Sequence, residues 1–147
     1  MYQVENHAGR LIEVKLASPL TLEEVQQFAG KHIALMQKIP VKYCGVVNLL
    51  EAYVFQPAVA DALLKLLSGA ASHVERTALL IGESAIFGLQ VERLLRESNS
   101  SNRRAFRNGQ ELIHWMSEVL TVAEQRQLER FVREATRAHP TPPATRV

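Results

Sequence analysis

Ser84, Cys44, Tyr53 and the five histidines are the side chains in this 147-residue chain whose type and place first raise the question of attack on a substrate, metal ligation or phosphate transfer. Ser84 lies in IGESAIFG, between an apolar run and a periodic stretch. The spacing Gly-x-Ser-x-Gly of a nucleophile elbow is missing there. Capping of the next helix by Glu83 or Ser84 is the simpler role. Cys44 would need exposure and a nearby base to act as a thiolate, and its position inside YCGVV makes it a small core residue. His7, His32, His73, His114 and His139 are scattered, with no pair at zinc-ligand spacing, and one cysteine cannot supply thiolate ligation. Gly45, Gly69, Gly82 and Gly88 are isolated, so there is no glycine-rich phosphate loop. No metal, no cofactor and no enzymatic activity is expected.

Whatever these residues do, composition limits the frame that holds them. The length fits one domain with a proper core. Apolar residues make up 47% and charged residues 22%, ordinary for a globular chain. A formal charge of +2 is too small to imply nucleic acid or an anionic membrane as partner. No apolar run approaches the roughly 20 residues that cross a bilayer, and MYQVENHAGR lacks the basic start and apolar middle of a signal peptide. The lone Cys44 excludes an internal disulfide. A cytoplasmic protein is expected.

The elements follow from periodicity. YQVEN (2 to 6) and RLIEVKLA (10 to 17) flank a short break and alternate as a hairpin with one buried face. Thr21 and Glu24 have capping-box spacing for a helix ended by Pro40, with Val25, Phe28, Ala29, His32 and Met36 on one face. YCGVVNLL (43 to 50) reads as a buried central strand, followed by a helix with Pro57 in its first turn and Val59, Leu63, Leu66 and Leu67 as its stripe. VERTALLIG (74 to 82) is a second buried strand. The helix over 83 to 98 is predicted to turn Ile86, Leu89, Leu94 and Leu95 inward. RRAFR is a short basic strand, and Asn108 with Glu111, then Thr121 with Glu124, have the spacing to start two more helices. The domain is predicted to end near residue 138, and the proline-rich HPTPPATRV (139 to 147) is expected to be a disordered tail. Strands alternating with helices predict a single α/β domain: a mixed, mainly parallel sheet of about five strands with helices packed on it.

Four stretches carry a family likeness: GRLIEVKLASPLTLEEVQQF, YCGVVNLL, TALLIG and RRAFRNGQELIHWMSE. Over most of residues 8 to 135 the chain resembles the SpoIIAA-like branch of the STAS superfamily, relatives of anti-sigma-factor antagonists, with an extra C-terminal helix. The resemblance implies a small α/β sandwich that binds and regulates. Some members of that wider family switch partners when a Ser or Thr is phosphorylated at a strand–helix junction, within the pattern Asp-Ser-(Ser or Thr)-Gly. Here the junction reads Asn48-Leu49-Leu50-Glu51-Ala52-Tyr53-Val54-Phe55-Gln56-Pro57, with no serine, threonine or glycine. A helix N-terminus favours a phosphate, but no hydroxyl of the right kind is there to carry one, so the phosphorylation role does not transfer.

The same junction is rich in large apolar side chains. Tyr53, Val54 and Phe55 fall in a loop, where gathered apolar groups mark a binding face; the plainer alternative packs Phe55 under the helix as a hydrophobic staple. Asn48 is a strand-end group tied to backbone or a ligand contact. Glu83 and Ser84 lie beyond a neighbouring strand, where open parallel sheets bind ligands. The candidate face is therefore Asn48, Tyr53, Phe55, Glu83 and Ser84. Arg103, Arg104 and Arg107 around Phe106 form a second, basic candidate patch, either charge protecting an edge strand or a face for an acidic partner. The last helix sets Val122, Leu128, Phe131, Val132 and Ala135 on one side, to cover its own domain or a second copy in a homodimer. A non-enzymatic regulatory module with a protein partner is the first expectation. The second is a carrier of a small apolar, lipid-like ligand, as the likeness of the SpoIIAA fold to lipid-carrier domains of the Sec14 type implies; a core without a cavity of about 200 Å³ argues against it.

Overall fold

Each strand here feeds a helix, and each helix returns the chain to the next place along one sheet. The structure is a computed structural model that describes residues 1–99 and 101–139. Its order is β1 (Tyr2–Ala8), β2 (Leu11–Leu16), α1 (Leu22–Gln37), β3 (Tyr43–Asn48), α2 (Pro57–Ala70), β4 (Val74–Leu80), α3 (Ala85–Glu97), β5 (Arg103–Phe106), α4 (Gly109–Ser117) and α5 (Val122–Ala138). The strands lie in the sheet in chain order, β1-β2-β3-β4-β5. β1 runs antiparallel to β2, and β2 through β5 are parallel. The described residues thus form a single α/β domain with a five-stranded mixed sheet and five helices, and no helix among them is long and apolar enough to cross a membrane. Residues 140–147 of the expected tail lie outside the described residues, and His139 caps α5.

Chain-order strands have a geometric consequence. Right-handed crossovers that all step in one direction put their helices on one face. There α1, α2 and α3 bury Val25, Phe28, Val59, Leu63, Phe87 and Val91 against Ile12, Val14 and Leu79 of the sheet. The opposite face carries Leu11, Cys44, Val46, Ala78 and Leu80, and only elements after β5 remain to cover it: α4 brings Leu112 and Met116, α5 brings Leu128, Val132 and Ala135. The apolar side of α5 is therefore occupied by the chain's own sheet, which removes it as a homodimer face. Val122, expected on that side, is exposed.

A second correction concerns α3. Its buried residues are Phe87, Gly88, Val91, Leu94 and Leu95, while Ile86 and Leu89 are each 72% exposed. The sequence offers apolar residues over too wide an arc for one helix face to bury. Phe87, the largest of them, takes the core position and turns its neighbours outward.

Both predicted capping boxes that begin with threonine form, Thr21 with Glu24 and Thr121 with Glu124. The second does more than cap. Glu124 is buried, and its carboxylate accepts the amide of Thr121 at 2.8 Å and that of Arg10 at 2.7 Å, tying α5 to the β1–β2 turn. That turn needs Gly9, whose φ is +48° and where an added Cβ would collide with Glu124 Oε2. The Arg10 guanidinium reaches on to Glu75 and to the carbonyls of Lys42 and Val119.

Candidate functional site

β3 leaves the sheet at Asn48, which is buried, and whose Oδ1 accepts the amide of Leu50 at 3.0 Å. This is the turn that an Asn side chain makes with the backbone two residues on, so Asn48 shapes the junction rather than facing outward. The loop then runs across the end of the sheet. Ser18 Oγ accepts the Tyr53 amide at 2.9 Å. Gln90 of α3 bonds both backbone groups of Phe55, accepting its amide at 2.8 Å and donating to its carbonyl at 2.9 Å. The Phe55 ring meets Phe87 edge-on, with centroids 5.3 Å apart.

Phe55 is thus only 6% exposed and leaves the candidate face. The physical reason is that two hydrogen bonds and an aromatic partner pull it under α3, while Tyr53 on the other side of Val54 stays 59% exposed. Val54 is 46% exposed. Ile86, one turn before Gln90 on α3, is with Leu89 one of the two apolar residues that sequence reasoning wrongly turned inward. Tyr53 and Val54 on the β3–α2 loop and Ile86 in the first turn of α3 are thus exposed apolar side chains at two junctions that the Gln90 bonds to Phe55 join.

Glu83 and Ser84 stand at the head of α3, both exposed. Ser84 Oγ accepts the Phe87 amide at 3.2 Å, an N-cap. Replacing Ser84 by alanine is expected to lower stability by about 1 kcal/mol in urea titration, with Gly82→Ala, where an added Cβ meets nothing within 4 Å, as a nearby control. Glu83 shares a surface groove with Arg107, whose guanidinium donates to the carbonyl of Gly82.

The three arginines do not make one patch. Successive strand residues point to opposite faces, so Arg104 is exposed over the Phe106 ring while Arg103 turns in beneath the α1–α3 layer and is buried. Its inward course leads to a feature that single-segment reasoning missed. Between the sheet and α1–α3 lies a cavity of about 80 Å³. Most of its wall is apolar, including Leu63, Leu66, Leu94 and Leu95, and one region gathers His32, Tyr43, Thr77 and Arg103. Neither His32 Nδ1 nor Thr77 Oγ1 has a hydrogen-bond partner, although both residues are more than nine-tenths buried. Burial, and then the charge of Arg103, push the His32 imidazole down to about 4. Burial raises the Tyr43 phenol and lowers the Arg103 guanidinium, and the hydrogen bond between the two opposes both shifts. The one hint in the sequence was a threonine and an arginine inside otherwise buried strands.

The remaining reactive types have structural places. Cys44 is fully buried, and burial pushes its thiol up to about 11. Among the described residues no group of three His, Cys, Asp or Glu side chains could hold a metal ion. No known family matches this chain, and no curated protein is similar to it.

Proposed function

We propose that this chain is a non-enzymatic regulatory or interaction module of the SpoIIAA-like kind that acts through a protein partner at the β3–α2 and β4–α3 junctions. The observation that carries the proposal is the exposure of Tyr53, Val54 and Ile86 at two junctions joined by the Gln90 bonds to Phe55, with Glu83 and Ser84 exposed at the head of α3. Large exposed apolar side chains on a fixed loop bury area on contact at little entropic cost. The alternative, carriage of a lipid-like ligand within the apolar cavity between the sheet and α1–α3, meets a volume of about 80 Å³, well under the roughly 300 Å³ where ligand pockets begin. Size therefore favours contact at the surface.

Quantitative pull-down from native lysate tests this with wild type against a Tyr53→Ser/Ile86→Ser variant. Because both side chains are solvent-exposed, the variant is expected to keep its stability within about 0.5 kcal/mol while losing one or more partners. Identical partner sets for the two proteins would sink the proposed face.

A further inference from the structure

The internal cavity carries chemistry that the surface face does not use. Four polar groups from four elements meet there: His32 from α1, Tyr43 from β3, Thr77 from β4 and Arg103 from β5. No acidic side chain lines it. The polarity is one of donors. Tyr43 oxygen engages the Arg103 guanidinium, leaving its own O–H proton to donate. The Thr77 hydroxyl can donate, and a neutral imidazole can carry its proton on Nδ1. Two of these groups, His32 Nδ1 and Thr77 Oγ1, are buried without a partner, a state that costs about 1–3 kcal/mol for each group. Gly45 leaves this end open: an added Cβ there would stand 3.0 Å from Thr77 Oγ1 and 3.5 Å from Tyr43 Cε2.

We propose that this cavity binds a small monocarboxylate of acetate or propionate size. Its carboxylate lies against Thr77, Tyr43 and His32 near the charge of Arg103, and its methyl or ethyl group rests on Leu63, Leu66, Leu94 and Leu95. Size and shape select this class. About 80 Å³ has room for a few water-sized groups, which suits a small ligand and is too little for a fatty acid. A halide would fill the polar end and leave the apolar end empty. Water would satisfy the donors but gain nothing from the leucines. The site is independent of the surface face, so either can fail without the other.

The test is an NMR titration of the full 147-residue chain with sodium acetate and sodium propionate, with sodium chloride at matched ionic strength. Saturable shifts of the Thr77 methyl and the His32 ring are expected with both carboxylates, together with a rise of the His32 pKa from its low value, because a nearby anion favours imidazolium. Thr77→Val is isosteric and removes a hydroxyl that has no protein partner, so it is expected to fold normally. It should bind about tenfold more weakly, the loss of one hydrogen bond to a charged group. Linear shifts, equal shifts with chloride, or unchanged affinity in Thr77→Val would each overturn the proposal.

Discussion

Acidification from pH 6.5 to 4 should remove about 3 kcal/mol of stability through His32 alone. Its folded pKa is about 4 against an ordinary 6.5, because burial and then the charge of Arg103 disfavour imidazolium. Between those values the unfolded chain binds a proton that the folded chain does not. The contribution is therefore complete above pH 6.5 and shrinks as pH falls, until the folded state also protonates near 4. A difference of about 2.5 pH units at 1.36 kcal/mol each gives the magnitude. The ring packs edge-on against Phe28 and Tyr43, with centroids 5.8 and 5.2 Å away. His7 works in the opposite direction. The hydrogen bond and charge of Glu13, with Glu5 adding, raise its pKa, so its contribution is present at low pH and fades as pH rises. Comparing urea unfolding of wild type and His32→Leu at pH 7, 6, 5 and 4 isolates the buried ring. The variant should lose the slope between 6.5 and 4, and an unchanged slope would assign the acid sensitivity elsewhere.

Replacing Glu124 by alanine should cost about 3 kcal/mol at pH 7. The substitution removes two part-buried hydrogen bonds to a charged acceptor, those from the Arg10 and Thr121 amides, at about 1.5–3 kcal/mol each. It also ends the capping box of α5, whose apolar side closes the second face of the sheet. Burial pushes the Glu124 carboxyl up, but the two amides, the Thr121 hydroxyl and the Arg10 charge outweigh it and leave the pKa below the usual carboxylate range. The stability it supplies is thus complete above the unfolded carboxylate pKa and is lost as pH falls through the lower folded value. This window lies below that of His32, so the two acid steps separate in a pH series. Glu124→Gln, which keeps one acceptor oxygen, should lose less than Glu124→Ala. A Glu124→Gln variant as stable as wild type, with Glu124→Ala still destabilised, would mean that volume, and not hydrogen bonding to the carboxylate, holds the helix.

Element order was legible in the sequence because period-two and period-3.6 patterns alternate cleanly and the caps sit at the right spacing. The hairpin with its three following strands and the starts of α1, α3, α4 and α5 at Thr21, Ser84, Asn108 and Thr121 are local facts. Facing was harder. Ile86 and Phe87 are adjacent apolar residues, and only the docking of Phe55 on Phe87 decides which of them turns in. The arginine cluster failed for a similar reason: adjacent strand residues share a sequence neighbourhood but not a face. The cavity was beyond local reach, since His32 and Arg103 are 71 positions apart and meet only after three crossovers. For the candidate face, Tyr53 and Ser84 were readable as a pair of junctions and Ser84 as a cap, whereas the division between exposed Tyr53 and buried Phe55 came from Ser18, Gln90 and Phe87, which lie far off in sequence.

The chain-order sheet also sets a timetable for synthesis. Every element of the α1–α3 face has been made once β5 emerges, but the sheet face bearing Leu11, Cys44, Val46, Ala78 and Leu80 still awaits its cover. That cover is Gly109–Ala138, roughly 2–6 s of translation at about 5–20 residues per second. During that interval a half-built domain presents one side of a nearly finished sheet as bare hydrocarbon, and Arg10 has no Glu124 to meet. A nascent chain stalled within α4 leaves that face uncovered, and the latch between the β1–β2 turn and α5 can form only when Glu124 has been made.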